Sequence, residues 1–233
     1  MNVIIPMAGA GTRMEDPLPK FMLNAKGKPM VQQVIDSLDI PTAQYVFVIR
    51  DDYNVGDVSD WIMTRISISE HQKQIVTVKE TRGPAETAYL ATPWVDLRQP
   101  LIIADCDNFF TWNKPVNYAL ENFVLCHQIN SYNDKYSYIV PKKDTELRGL
   151  ELTKKWHGDR LLASAGVYGW AKGEIFVQCF QRTMQNQLSD TLTELLMVNV
   201  YQHLPLLDMD FRCDIVDNYH NLGNRLDLAE FNK

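Results

Sequence analysis

Apolar positions in this chain fall into short runs separated by longer mixed stretches. Val3-Ile4-Ile5, Tyr45 to Ile49 and Leu101 to Ala104 are apolar on both faces, the pattern of strands buried inside a parallel sheet. Gln74 to Val78 reads as another strand. Between them Met30 to Leu38 (MVQQVIDSL) spaces its apolar residues at helical intervals, with Pro29 placed as a helix starter. Glu86 to Ala91 reads as the start of a further helix. Strands alternating with helices predict an α/β sheet with helices on its faces. The second half is less regular. Tyr136 to Val140 and Ala165 to Trp170 read as strands, and Thr191 to Leu204 as a helix. No linker rich in Gly, Ser or Pro divides the halves, so one continuous domain over residues 1–233 is expected.

Composition narrows this picture. With 233 residues, 45% hydrophobic and 22% charged, the chain can bury a core without staples and is far from a disordered composition. A formal net charge of -6 argues against a duplex nucleic-acid partner, whose affinity rests on phosphate neutralisation. It leaves room for a nucleotide site, which needs only a few local cations. Cys106, Cys126, Cys179 and Cys213 are widely spaced, without a CxxC pair or histidines at zinc spacing, and read as reduced structural thiols. The start of the chain lacks the basic segment and long apolar run of a signal peptide, and no apolar run approaches a membrane span. A cytoplasmic enzyme with no membrane partner is the expectation.

The sharpest chemical signal follows the first strand, where residues 6–20 read PMAGAGTRMEDPLPK. Gly9 and Gly11 let the backbone approach a ligand closely, and successive N–H groups in such a turn form an anion-binding concavity. Arg13 can fork two donors onto phosphate oxygens, and Lys20 adds a mobile point charge stiffened by Pro19. Neither the GxxxxGK[ST] loop nor the GxGxxG fingerprint is present. A second signal follows the strand at Leu101 to Ala104. There Asp105 and Asp107 flank Cys106, so both carboxylates can reach the carboxyl edge of the sheet, where α/β proteins gather ligands.

Residues 3–38 resemble the opening of the sugar-1-phosphate nucleotidyltransferases: a strand, GxGTRM or GxGSRF, then PK, then GKPM leading into a helix. The motif is most similar to the uridylyltransferase half of the bifunctional enzyme that makes UDP-N-acetylglucosamine. It also resembles small capsule-associated homologues that begin IPMAG. The resemblance implies a three-layer α/β fold with a mainly parallel mixed sheet, GT-A-like and Rossmann-like. Residues up to about 135 would bind the nucleoside triphosphate, and residues from about 136 to 233 the acceptor.

It also implies roles by position. Met7, Ala8, Gly9, Ala10, Gly11, Thr12 and Arg13 would line the triphosphate, with Arg13 and Lys20 acting on the phosphates. Asp107 would hold Mg2+, as an acid that meets a phosphate-bound cation can. Asp105 would either support that ligand or touch the nucleoside. The second metal ligand falls in HNLGNRLDLAEF, with Asn221 as the choice and Asn224 as the rival. Gly83, Pro84 and Ala85 would pack against the base. Lys155, or alternatively Lys154, would contact the acceptor phosphate, while Ser164 and Gly166 would touch the sugar. Thr193-Glu194 resembles a Thr-Asp step of the family, without an assigned role.

The implied reaction joins an NTP (UTP, CTP or dTTP) to a sugar 1-phosphate or similar phosphomonoester and releases pyrophosphate. Capsule or surface-polysaccharide synthesis is the suggested setting, and association into a homo-oligomer is left open. Alternatives are a glycosyltransferase of similar fold, for which Asp105-Cys106-Asp107 supplies a DxD-like step, a phosphocholine-type cytidylyltransferase, or a nucleotide sensor without turnover.

Overall fold

The computed structural model describes residues 1–9, 14, 16–143, 148–154, 162–186 and 194–233. The strands in chain order are β1 (Asn2–Pro6), a hairpin of β2 (Asn24–Ala25) and β3 (Lys28–Pro29), β4 (Gln44–Arg50), β5 (Lys73–Val78), β6 (Leu101–Ala104) and β7 (Asn108–Thr111). Then come β8 (Phe123–Gln128), β9 (Tyr138–Pro141), β10 (Arg148–Thr153), β11 (Leu162–Trp170), β12 (Phe211–Ile215) and β13 (Asp217–Asn221). The helices are α1 (Met30–Leu38), α2 (Val55–Arg65), α3 (Pro84–Leu90), α4 (Gly173–Asn186), α5 (Met197–Tyr201) and α6 (Arg225–Phe231).

Among the described residues, nine strands form one mixed sheet in the order β5-β4-β1-β6-β11-β8-β12-β10-β9. The run β5-β4-β1-β6 is parallel, with Ile4 opposite both Val46 and Ile103. Beyond it β11 runs antiparallel to β6 and to β8, while β12 returns parallel to β8. A register shift between Ser164 and Val167 lets β11 pair with β6 at one end and meet β9 at the other, through Ala163 and Tyr138. Strands from both halves of the chain therefore share one sheet.

The apolar pattern explains the layers. Side chains alternate across a strand, so Val3 and Ile5 face a core with Val34, Ile35 and Leu38 of α1 and Ile62 of α2. Ile4 faces the opposite core, with Ala88 of α3, Phe176 and Phe180 of α4, and Tyr201 of α5. Both faces of the parallel strands are covered, which is why their sequences are apolar throughout.

The predicted helix Met30–Leu38 is found with those bounds, and Pro29 precedes it. Helix α3 starts at Pro84, ahead of the expected Glu86, because proline is tolerated in a first helical turn. Strand β11 starts at Leu162 rather than Ala165, and β9 at Tyr138 rather than Tyr136. The expected helix over Thr191–Leu204 shrinks to Met197–Tyr201, residues 191–193 lying outside the described ones. Its start is held back because the backbone of Leu195 is already committed, donating to Arg82 O at 2.7 Å and accepting from Ala85 N at 3.1 Å. Helices α2, α4 and α6 and strands β2, β3, β7, β8, β10, β12 and β13 are additions to what the apolar pattern indicates.

Candidate active site

Parallel pairing brings the carboxyl ends of β1, β4, β5 and β6 to one edge of the sheet. The segments that follow them wall a cleft of about 930 Å³. Ala8 and Gly9 come from the end of β1, Arg50 from β4, Gly83 and Pro84 from the turn after β5, and Asp105 and Asp107 from the end of β6. Ser164 and Gly166 enter from the N-terminal part of β11, which runs past the end of β6. Lys20, Lys154 and Asn221 complete the set of sequence-derived candidates that line the cleft.

At the phosphate corner Lys20 Nζ donates to Asp107 Oδ2 at 2.7 Å. Burial works against the lysine charge, but the carboxylate of Asp107, helped by that of Asp105, outweighs it and holds the ammonium above its ordinary pKa. Asn221 reaches the same place through β13, which pairs with β7 so that Asn221 lies opposite Asn108. Leu222 N donates to Asp107 O at 2.8 Å and Gly223 N donates to Asn221 Oδ1 at 2.7 Å. A Cβ on Gly223 would sit 2.6 Å from Asp107 Oδ2 and 3.0 Å from Asn221 Oδ1, so the two oxygens converge on a glycine that must stay bare. Carboxylate and amide oxygens are the donors a hard cation takes.

Asn224, the rival ligand, is spent elsewhere. Its Oδ1 accepts from Leu226 N at 3.1 Å and Asp227 N at 3.0 Å, capping α6. Cys106 is buried, and burial pushes its thiol up to about 12, so it remains a protonated packing group.

The wall after β5 is built without paired charges at its centre. Gly83 has φ 150°, and a Cβ there would lie 2.6 Å from Leu195 O. Thr87 Oγ1 donates to Gly83 O at 3.0 Å and sits 2.7 Å from Thr81 Oγ1. Arg82, which also lines the cleft, pairs with Glu86, and its N–H donates to Glu86 Oε2 at 2.7 Å. Met7 and Ala85 belong to the two cores, at 2% and 0% exposure, so their side chains face away from the cleft. The N–H of Met7 is bonded to Val48 O and that of Ala85 to Leu195 O. A Cβ on Gly9 would meet nothing within 4 Å among the described residues, and the Gly9 carbonyl accepts from the Tyr53 hydroxyl at 3.2 Å.

Beside the Asp107 corner Gly166 takes φ 76°, and a Cβ on it would run into Asp105 and Asn108. Tyr219 donates its hydroxyl to Asn108 Oδ1 at 3.0 Å and stacks on His127 with ring centroids 3.8 Å apart. His127 is buried, and burial lowers its pKa to about 4, so the ring is neutral. Lys154 Nζ donates to Tyr136 O at 3.2 Å. Ala10, Gly11, Thr12, Arg13, Lys155 and Thr193 lie outside the described residues.

Several cleft residues had not been singled out: Arg50, Thr81, Arg82, Tyr136, Tyr168 and Tyr219. Arg50 had a readable signal, a cation ending an apolar strand in YVFVIRDDY. The tyrosines had none, since they reach the cleft only through contacts between remote segments, Tyr219 through the pairing of β13 with β7.

No family model matches the chain. Similarity to solved structures extends over its full length at low identity. A nucleoside-diphosphate-sugar pyrophosphorylase from Vibrio cholerae RC9 superposes with a TM-score of 0.83 at 20% identity, over 99% of this chain and 99% of that one. A UDP-glucose pyrophosphorylase solved with UDP-glucose gives 0.77 at 15% identity, over 99% of this chain and 96% of that one. The inositol-1-phosphate CTP transferase from T. maritima gives 0.74 at 15% identity, over 100% of this chain and 96% of that one. Among the described residues no helix is long and apolar enough to cross a membrane. The chain thus has the α/β fold of nucleotide-sugar pyrophosphorylases and related nucleotidyltransferases, in a version that carries the Lys20–Asp107–Asn221 corner at the carboxyl edge of its sheet.

Proposed function

We propose that this protein is a nucleotidyltransferase that joins a nucleoside triphosphate to a sugar 1-phosphate or similar phosphomonoester and releases pyrophosphate. The observation that carries this reading is the convergence of Lys20, Asp107 and Asn221 at one end of a cleft whose other wall is the glycine turn at Gly83 and Pro84, beside the Arg82–Glu86 pair. A charged end suits a polyphosphate, and a backbone wall with small residues suits a planar base. UTP, CTP or dTTP are the donors to test first. The chain would act as one unit, residues up to about 135 supplying the donor site and the remainder the acceptor site. A role in surface-polysaccharide precursor synthesis in the cytoplasm fits this reading.

In the reaction an acceptor phosphate oxygen attacks the α-phosphorus, the bond to the β-phosphate oxygen breaks, and pyrophosphate carries away the electron pair. The attacking oxygen is already anionic, so no side chain need remove a proton. Positioning and charge neutralisation are what the protein must supply. Asp107 and Asn221 would hold Mg2+, which when bound neutralises phosphate charge. Lys20 and Arg13 would stabilise the triphosphate, and Lys154 or Lys155 the acceptor phosphate. Ser164 and Gly166 would border the sugar, and Asp105 would support the donor side.

The test is a matrix of four NTPs against hexose 1-phosphates, inositol phosphate and phosphocholine with Mg2+, scored by pyrophosphate and by product mass. One productive pair, with no pyrophosphate when the acceptor is omitted, is the expected result. Sugar transfer from a ready-made nucleotide sugar, or tight NTP binding with no turnover across the whole matrix, would overturn the reading.

A further inference from the structure

Lys20 is attached at a fixed point. It opens a short turn, Lys20–Met22, whose Phe21 is buried and packs against Trp61 and Tyr53. From there its ammonium reaches Asp107 across a sequence separation of 87 residues. The pair is only partly open to water, with side-chain exposures of 24% and 16%. Both oxygens that converge at Gly223 therefore already have donors: Asp107 Oδ2 has Lys20 Nζ at 2.7 Å, and Asn221 Oδ1 has Gly223 N at 2.7 Å.

We infer that Lys20 makes cation binding at Asp107 conditional on a polyphosphate, so that the divalent ion enters with the triphosphate and not ahead of it. This rests on the proposed reading of Asp107 as a metal ligand. A lone divalent ion would have to take the carboxylate from an ammonium within a partly buried pair. Lys20 cancels the charge of Asp107 and Asn221 adds none. Although the carboxylate of Asp105 also lines the cleft, this weakens the attraction that must repay the water Mg2+ gives up reluctantly. A triphosphate changes the balance. Its oxygens offer the ammonium a new partner within reach of the same flexible stem, and its charge favours the cation. Asp107 is then released to the metal while Lys20 neutralises phosphate, one side chain serving both states.

The test is titration of Mn2+, without nucleotide, into wild type, Lys20→Met, Asp107→Asn and Lys28→Met, followed by calorimetry and by the EPR signal of free Mn2+. Thermal melts establish that each variant is folded, and Lys20→Gln serves if Lys20→Met is not. Lys20→Met is expected to bind Mn2+ roughly tenfold or more tighter than wild type, because one partner of a partly buried pair has been removed. Lys28 pairs with Asp36 on the surface, so Lys28→Met should match wild type. With inorganic tripolyphosphate added, wild type should gain a protein-bound Mn2+ signal. Equal Mn2+ affinity of wild type and Lys20→Met, with Asp107→Asn weaker than both, would overturn the inference and leave Asp107 as a metal ligand. Asp107→Asn binding Mn2+ as well as Lys20→Met would instead remove the metal assignment on which the inference rests.

Discussion

At the Asp107 corner the cleft is held by an ammonium, a carboxylate and an amide brought together from Lys20, Asp107 and Asn221. At the Gly83 wall it is held by backbone hydrogen bonds to Leu195 and by the hydroxyls of Thr81 and Thr87. The corner is strongly charged and partly wet, whereas the wall is shaped by glycine and lacks paired charge at its centre. The difference teaches a division of labour. Charge is placed where charge must be offset, and shape is placed where a flat neutral group must fit. Beside the corner, Tyr219 bonds Asn108 and stacks on His127, a neutral aromatic pair because His127 is kept uncharged by burial.

Substitutions that strike the corner should act on rate, and those that strike the wall should act on fit and stability. The largest effect is expected from Asp107→Ala, a loss of roughly two to four decades in pyrophosphate release if one electrostatic contact to the reacting phosphates is removed. Near-normal turnover would break the comparison at its charged side. Gly83→Ala comes next. The new Cβ meets the Leu195 backbone at a φ that side chains rarely adopt, so stability should fall by about 1–3 kcal/mol. The melting temperature should drop by roughly 5 °C, together with a raised KM for the donor. A drop in kcat alone would place this turn with the corner instead.

The neutral aromatic pair can be sharpened by pH. A buried histidine with its pKa lowered to about 4 adds stability that is complete above the unfolded value near 6.5 and declines as pH falls toward 4. Urea unfolding should show about 2 kcal/mol less stability from this group at pH 5 than at pH 7. His127→Phe, which keeps the stack on Tyr219, should flatten that part of the profile, and an unchanged slope would mean the ring is charged in the folded protein. The smallest effects separate two asparagines. Asn221→Ala should weaken Mn2+ binding in the presence of nucleotide on the order of tenfold. Asn224→Ala should cost about 1 kcal/mol as a lost helix cap and leave turnover alone. The reverse pattern would exchange their roles.

Much of the first half was legible from local pattern. Val3-Ile4-Ile5, Tyr45 to Ile49 and Leu101 to Ala104 are apolar on both faces because helices cover both, and short-range periodicity carries that directly. The same runs locate the carboxyl edge, so Asp105, Asp107 and the segment around Gly9 could be assigned to one place from sequence alone. The helix expected over Thr191–Leu204 was shortened by a contact no local pattern contains, the backbone bridge between Leu195 and the turn at Arg82 to Ala85. Tyr219 and Gly223 were likewise invisible as site residues, because β13 reaches Asp107 only by pairing with β7 from far along the chain.

By itself, then, the sequence determined the parallel strands β1, β4, β5 and β6, the helix at Met30 and the chemical groups available at the sheet's edge, since these depend on side-chain periodicity and residue type within a few neighbours. Tertiary structure alone decided that Lys20 rests on Asp107, that Asn224 is taken up in capping α6, and that Gly83, Gly166 and Gly223 must stay bare. Those outcomes depend on distances of a few ångströms between segments remote in the chain, which only the closed packing of both halves sets.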